Sequence, residues 1–292
     1  MHEISFIVKM KRNIFFSLVL ASVLASCGDY TKLLKSDDFD YKYEAAKAYY
    51  AEGRYGYCAS ILEDMLLLLK GSPDAEESLI MTAMCNYNIK DYESAQLYFS
   101  RYYKTYPKGK YSEVARYYSG KSLFLQSPDP RLDQTPTYSA ISELQDFMDN
   151  FPYSSRRDEV NDMIFQLQDR LVQKEYNSAK LYYNLGSYVG NCYNGGNNYE
   201  ACIITAENAI KAYPYTNMRE ELYYIILKAR YQLATHSVDE KKQERYQQTV
   251  DEYFGFKNEF PDSKYIKEAD QIYKHSIGKF DKNADQDSAS TF

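Results

Sequence analysis

The stretch that decides the fold is Tyr92–Pro107, YESAQLYFSRYYKTYP. Counting back from Pro107, Ala95, Phe99, Tyr102 and Tyr106 are spaced 4, 3 and 4, which puts them on one stripe of an α-helix that the proline ends. The ruler fits three more prolines. From Pro152 it picks out Ala140, Leu144, Phe147 and Phe151; from Pro214, Cys202, Ala206, Ala209 and Tyr213; from Pro261, Thr249, Tyr253, Phe256 and Phe260. Each stripe opens on a small residue and closes on an aromatic residue followed by proline. The small residue lets a second helix approach closely and the larger ones fill the groove between them. Proline then forbids continuation, because it lacks an N–H and clashes with the preceding turn.

Pro73 and Pro107 lie 34 residues apart, the period of the tetratricopeptide repeat, and the small, aromatic and proline positions match the second helix of that repeat. Later intervals of 45, 62 and 47 residues accommodate insertions and one extra helical segment. The expected fold is all-α: an α-solenoid of about five tetratricopeptide repeats with a C-terminal capping helix. Repeats one to three occupy 41–155. Their helix pairs are expected at Tyr41–Glu52 with Tyr55–Lys70, Glu76–Asn88 with the Tyr92 helix, and Ser112–Leu125 with Tyr138–Phe151. Between the last two, Gln126–Thr137 carries Pro128, Pro130 and Pro136 and reads as an extended loop. Repeats four and five with the cap occupy 156–280. Here Arg156–Tyr188 is one long helix or two with a bend, Gly190–Asn198 is a loop, and Tyr199–Tyr213, Arg219–Thr235, Asp239–Phe260 and Tyr265–Phe280 are helices. The small, polar residues 281–292 predict a disordered tail.

At the N-terminus the basic Met10-Lys11-Arg12-Asn13 precedes the apolar run Ile14–Leu24, whose eleven residues are too few to span a bilayer. Residues 1–26 therefore read as a signal peptide, with Met1 or Met10 as its start. The run leads into Leu24-Ala25-Ser26-Cys27, which resembles the lipobox of bacterial lipoproteins. Cys27 is expected to carry a covalent lipid, the only cofactor-like group anticipated, with 27–40 as the lipidated tether. Gly28 follows that cysteine in place of the aspartate that retains lipoproteins at the inner membrane, so the outer membrane, facing the periplasm, is the expected location. Loss of 1–26 removes three basic and one acidic side chain and takes the formal charge from −6 to −8. That balance argues against a nucleic-acid partner, which calls for a basic footprint.

Chemistry is sparse in the motifs. Cys58 and Cys202 occupy the small-residue slot of a stripe and read as packing residues; Cys85 lies inside the first helix of repeat two. Cys192 and Cys202 flank the Gly/Asn-rich loop, and whether they pair stays open. His2, His236 and His275 are isolated, without zinc spacing or a triad around them, so neither a metal nor a catalytic residue is assigned. Glu76-Glu77 and Glu220-Glu221 fall at helix N-termini, where carboxylates complement the dipole. With 33 tyrosines and no tryptophan, aromatic surface is abundant, and adjacent pairs on first helices place one ring in the core and the other towards a groove. Tyr49, Tyr50, Arg54, Tyr87, Arg116 and Tyr117 are the candidate peptide-binding groove: aromatic surface with cationic donors for an extended peptide ending in an aromatic residue and a carboxylate.

Ser26-Cys27, the run YKYEAAKAYY at Tyr41–Tyr50, the Tyr106-Pro107 and Phe151-Pro152 helix ends, and Arg170-Leu171 leading into Glu175–Tyr183 together resemble the BamD family. These are lipoprotein subunits of the outer-membrane β-barrel assembly machinery. The resemblance covers nearly all of the mature chain and departs at the Gly190–Asn198 insertion and the lengthened second helix of repeat five. It implies a scaffold and not an enzyme. Its N-terminal repeats are expected to engage unfolded outer-membrane β-barrel proteins through their C-terminal signal, and its C-terminal repeats a BamA-like insertase. The alternative is a tetratricopeptide lipoprotein serving other envelope organisation or surface ligand capture.

Overall fold

A computed structural model describes residues 30–188 and 197–289, and every regular element among them is helical. The helices are α1 Phe39–Ala51, α2 Tyr55–Met65, α3 Ala75–Asn88, α4 Tyr92–Thr105, α5 Ser112–Gln126, α6 Thr135–Asn150, α7 Arg157–Leu185, α8 Asn198–Ala212, α9 Arg219–Thr235, α10 Asp239–Glu259 and α11 Ile266–Ala289.

The proline ruler acts through a single backbone conformation used four times. Helices α4, α6, α8 and α10 are capped by Tyr106, Phe151, Tyr213 and Phe260, with φ between −122° and −131° and ψ between 65° and 70°. A following proline excludes the helical region for the residue before it, so each aromatic residue leaves the helix while its N–H still bonds the carbonyl four residues back. The next turn is shared as well. Gly109, Ser154, Thr216 and Ser263 each donate their N–H to the carbonyl of the capping aromatic residue, at 2.9, 3.1, 3.2 and 3.2 Å. Ser154, Thr216 and Ser263 also accept, through their hydroxyl oxygens, the N–H two residues on, which starts the following helix. The small residues of the stripes, Ala95, Ala140, Cys202 and Thr249, are all fully buried.

The turns inside the first two repeats also share a plan. Gly53 and Lys90 both adopt left-handed φ, 73° and 67°. The residue after each sends its N–H back to a carbonyl five positions earlier, Arg54 to Tyr49 at 2.9 Å and Asp91 to Asn86 at 3.0 Å. Asp91 then caps α4 by accepting the Ser94 N–H at 3.1 Å. Arg54, in the same place before α2, makes no side-chain cap.

The helices divide into two compact units, one ending at Leu125 and one beginning at Gln126. In the first, α1 packs on α2, α2 on α3 and α3 on α4. Tyr118 of α5 stacks on Phe99 of α4. In the second, each helix from α6 to α11 packs on the next, and α9 also contacts α7 and α11. Stacked hairpins with their first helices in mutual contact make this the packing of a helical repeat solenoid. The unit boundary falls one helix before the expected division at 155/156, because α6 packs on α7.

Several boundaries differ from expectation, each for a physical reason. Helix α2 stops at Met65 and not Lys70. The leucine run Leu66–Leu69 has no single apolar face, Leu67 and Leu68 are exposed, and Gly71 takes φ 88°. Pro136 does not sit in a loop but opens α6, where its missing N–H costs nothing. Arg156–Tyr188 resolves as one helix, α7, of 29 residues. The expected tether 27–40 is docked from its fourth residue: 30–34 is helical and Leu33 is only 4 % exposed, packed among core residues of α1, α2 and α3. The cap α11 runs past Phe280 to Ala289 in the segment expected to be disordered, since no proline or glycine follows Gly278 to stop it. The proposed signal peptide, Cys27 and Cys192 lie outside the described residues, as does most of the expected loop Gly190–Asn198. Cys202 is a free, buried thiol.

Candidate functional site

Two of the six candidate groove residues, Tyr50 and Arg54, line clefts on the first unit, and they line different ones. A cleft of about 470 Å³ crosses the first helices of the repeats, with Lys47 and Tyr50 from α1, Ile80 and Met84 from α3, and Tyr111 and Val114 at the start of α5. Tyr50 is half-buried there, its ring 5.6 Å from that of Tyr55, and burial raises its phenol above the ordinary value. Lys47 stands over the Tyr43 ring at 4.8 Å and pairs with Glu44 one turn earlier. Its ammonium is thus at the rim of an otherwise apolar trough, with Glu77 as the one carboxylate in the lining.

The second cleft, about 580 Å³, lies at the turn ends of the first two helical hairpins and includes Tyr30, Arg54, Tyr57, Asn88 and Ile89. The Arg54 guanidinium sits 4.5 Å from the ring centres of both Tyr49 and Tyr57. Tyr30 packs edge-on against Tyr57 at 4.4 Å and against Tyr49 at 6.1 Å. Three rings and one cation thus form a single cluster.

The remaining candidates do not join either cleft. Tyr87 packs against Tyr92 and Tyr118 at 5.5 and 4.8 Å. Arg116 covers the Tyr103 ring at 4.2 Å. Tyr117 is 3 % exposed and accepts a hydrogen bond from Lys121 Nζ at 2.9 Å, so it belongs to the core and offers no ring surface. The Tyr117-Tyr118 pair therefore does not split into one core and one groove residue: Tyr117 is buried, and Tyr118 packs on Tyr87 and Phe99. The periodicity missed Ile80, Met84 and Val114, whose only signal is that they are apolar residues on first helices.

In the second unit a separate cleft of about 520 Å³ brings together Tyr183 of α7, Tyr224, Lys228 and Gln232 of α9, and Gln271 and His275 of α11. The Lys228 ammonium lies 4.7 Å from the Tyr183 ring and 5.2 Å from that of Tyr224. Tyr224 donates to the Glu268 carboxylate, and burial with that hydrogen bond raises its phenol well above the ordinary range.

Carboxylates on the first helices, at the N-termini of α3 and α9 and midway along α7, link one repeat to the next. Glu76 accepts the Lys110 N–H at 3.0 Å and the Tyr102 hydroxyl. Glu220 accepts the Ser263 hydroxyl at 2.6 Å, and Asp169 of α7 accepts that of Thr216 at 2.6 Å. Each reaches forward to tie down the loop of the next repeat. Among the described residues no group of three His, Cys, Asp or Glu side chains could hold a metal ion, and no helix is long and apolar enough to cross a membrane.

Stacked helical hairpins carrying apolar and aromatic clefts define a helical repeat protein. The family whose model the sequence matches is YfiO, described as outer membrane lipoprotein, over residues 36–194, more than half of the chain. The chain belongs to this outer-membrane lipoprotein family, which is the BamD family that the sequence resembles. No curated protein matches it significantly.

Proposed function

We propose that this chain is a non-enzymatic scaffold of the outer-membrane β-barrel assembly machinery, anchored by lipid at Cys27 and facing the periplasm. It holds unfolded outer-membrane proteins on its first unit and a BamA-type insertase on its second. Family membership supports the class and the address. The observation that carries the substrate assignment is the cleft across α1, α3 and α5. Its trough of Ile80, Met84 and Val114 accepts side chains of varied shape, since methionine adapts to its neighbour. Tyr50 and Tyr111 supply rings for an aromatic residue, and Lys47 supplies a cation at the rim for a terminal carboxylate. The Lys47–Glu44 pair is a surface contact that a ligand carboxylate can displace. The Lys228 cleft, more polar and on the first helices of the second unit, is the matching place for the insertase.

Photo-crosslinking in the full-length protein tests both assignments. A benzophenone amino acid at Met84 should capture the C-terminal peptide of a barrel protein, and one at Lys228 should capture the periplasmic domains of the insertase. Capture of the peptide at Lys228 alone would reverse the assignment of the units, and capture of neither partner at either position would remove the scaffold from this machinery.

A further inference from the structure

The Arg54 cluster occupies the turn between α1 and α2. At the equivalent turn Asp91 caps α4, whereas Arg54 precedes α2 without a side-chain cap, as do the residues before α6 and α10, and its guanidinium turns instead to the rings of Tyr49 and Tyr57. Gly53 and Gly56 flank the arginine, and a side chain added at either would meet nothing within 4 Å, so the cleft in front of the guanidinium stays open. Its far wall carries Ile89, 45 % exposed.

The distance to the membrane decides what fills it. The lipid on Cys27, as read above under the proposed function, places that residue at the base of the headgroup layer. Three peptide units separate it from Tyr30, and an extended chain covers at most roughly 11 Å over that length. The headgroup layer is itself roughly 5–8 Å deep. Tyr30 is not a free tether residue: it is a wall of the cleft, packed on Tyr57 and Tyr49 and followed by the buried Leu33. The cleft is therefore held at the bilayer surface by covalent geometry. Tyrosine and arginine are the side chains that settle there, with an apolar body and a polar tip. The guanidinium lies 4.5 Å from each of two rings that stack on one another at 5.5 Å, and its Nη1 is 3.7 Å from Glu52 Oε2, a long, exposed pairing that a phosphate can displace.

We propose that the cleft of Tyr30, Arg54, Tyr57 and Ile89 is a phospholipid headgroup site that seats the first unit on the membrane, Arg54 taking the phosphate. Lipidation at Cys27 supplies attachment; this site supplies orientation, and it is separate from the peptide cleft on α1, α3 and α5.

The absence of tryptophan makes the test direct, since Tyr57→Trp introduces a lone tryptophan, which is excited selectively at wavelengths beyond tyrosine absorption. The lipidated full-length protein is reconstituted into vesicles of phosphatidylethanolamine and phosphatidylglycerol containing headgroup-spin-labelled phosphatidylcholine, with flotation as the measure of anchoring. Tyr57→Trp should be blue-shifted and strongly quenched, and Tyr153→Trp, at a side chain 98 % exposed in the second unit, should not. Adding Arg54→Glu should abolish the quenching while flotation persists. Ile89→Trp repeats the measurement from the opposite wall should Tyr57→Trp lose helical circular dichroism. If the protein floats and both Tyr57→Trp and Ile89→Trp are quenched no more than Tyr153→Trp, the headgroup site is overturned and the anchor stands. Protein that does not float overturns the anchor at Cys27 and the site with it.

Discussion

Tyr102 of α4 donates its hydroxyl hydrogen to the carboxylate of Glu76 at the start of α3, and Glu76 also receives the Lys110 N–H at 3.0 Å. Tyr102 in turn accepts the Tyr111 N–H at 3.1 Å. The loop between repeats two and three is thereby tied to both helices before it. The carboxylate occupies the space that a side chain fills in the other three loops: a Cβ at Gly109 would lie 2.7 Å from Glu76 Oε1 and 2.8 Å from the Tyr102 oxygen. Gly109→Ala is expected to destabilise by about 1–3 kcal/mol through overpacking, read by chemical denaturation. Unchanged stability would mean that this loop does not depend on the Glu76–Tyr102 contact.

Alkali should weaken the fold before any backbone chemistry intervenes. Burial, with the Glu77 carboxylate adding to it, pushes the Tyr43 phenol up to about 12. Tyr102 and Tyr224 are raised further by burial and by their bonds to Glu76 and Glu268. Below the ordinary phenol value of about 10 both folded and unfolded chains are neutral, and the contribution is complete. Above it the unfolded chain loses protons that the folded one keeps, so stability falls as pH rises. Urea midpoints measured from pH 9 to 11.5 should decline, and tyrosinate absorbance should appear together with unfolding. A full tyrosinate signal in protein that retains its helical dichroism would contradict this.

Ala95→Leu is expected to cost about 1–3 kcal/mol, because Ala95 is fully buried in a core with Leu79, Ile80 and Phe99 where no space awaits a larger residue. The melting temperature should drop by about 2–4 °C for each kcal/mol. Ala140→Leu, at the same stripe position of α6 and equally buried, should behave alike. An unchanged melting temperature in both would show that these are not close-approach positions.

Thiol reagents should find little to attack. Cys58, Cys85 and Cys202 are free and buried. Cys85 is raised by its hydrogen bond with Cys58 and by burial, and burial pushes Cys202 up to about 12. A neutral, inaccessible thiol is a poor nucleophile. In a Cys192→Ser background the native lipoprotein should leave an aromatic disulfide reagent colourless and react fully after denaturation. Rapid reaction of the native protein would place one of the three thiols at the surface.

Cys27→Ala should convert the protein to an uncleaved precursor or a soluble periplasmic form. Fractionation with the outer membrane is the readout, after high-salt washing and with the insertase depleted. Retention equal to the unmodified protein under those conditions would dismiss lipid attachment at this cysteine.

What could be read from the sequence alone was whatever acts within one helix and its cap. The stripes ending at Tyr106, Phe151, Tyr213 and Phe260 were legible because proline constrains only its neighbour and the 4-3-4 spacing needs only helical geometry. The repeat frame follows from those local constraints. Only the tertiary structure decided which side of each helix a neighbouring repeat would cover. It buried Tyr117, brought Tyr50 together with Ile80, Met84 and Val114, and separated Arg54 from them into a cluster with Tyr30 and Tyr57. It also turned Glu76 from a dipole partner into a tie between repeats, by bringing Lys110 to it across 34 positions of sequence. Such contacts depend on the angle and distance at which two helices pack, which the summed volumes of both surfaces set and no spacing within one helix records.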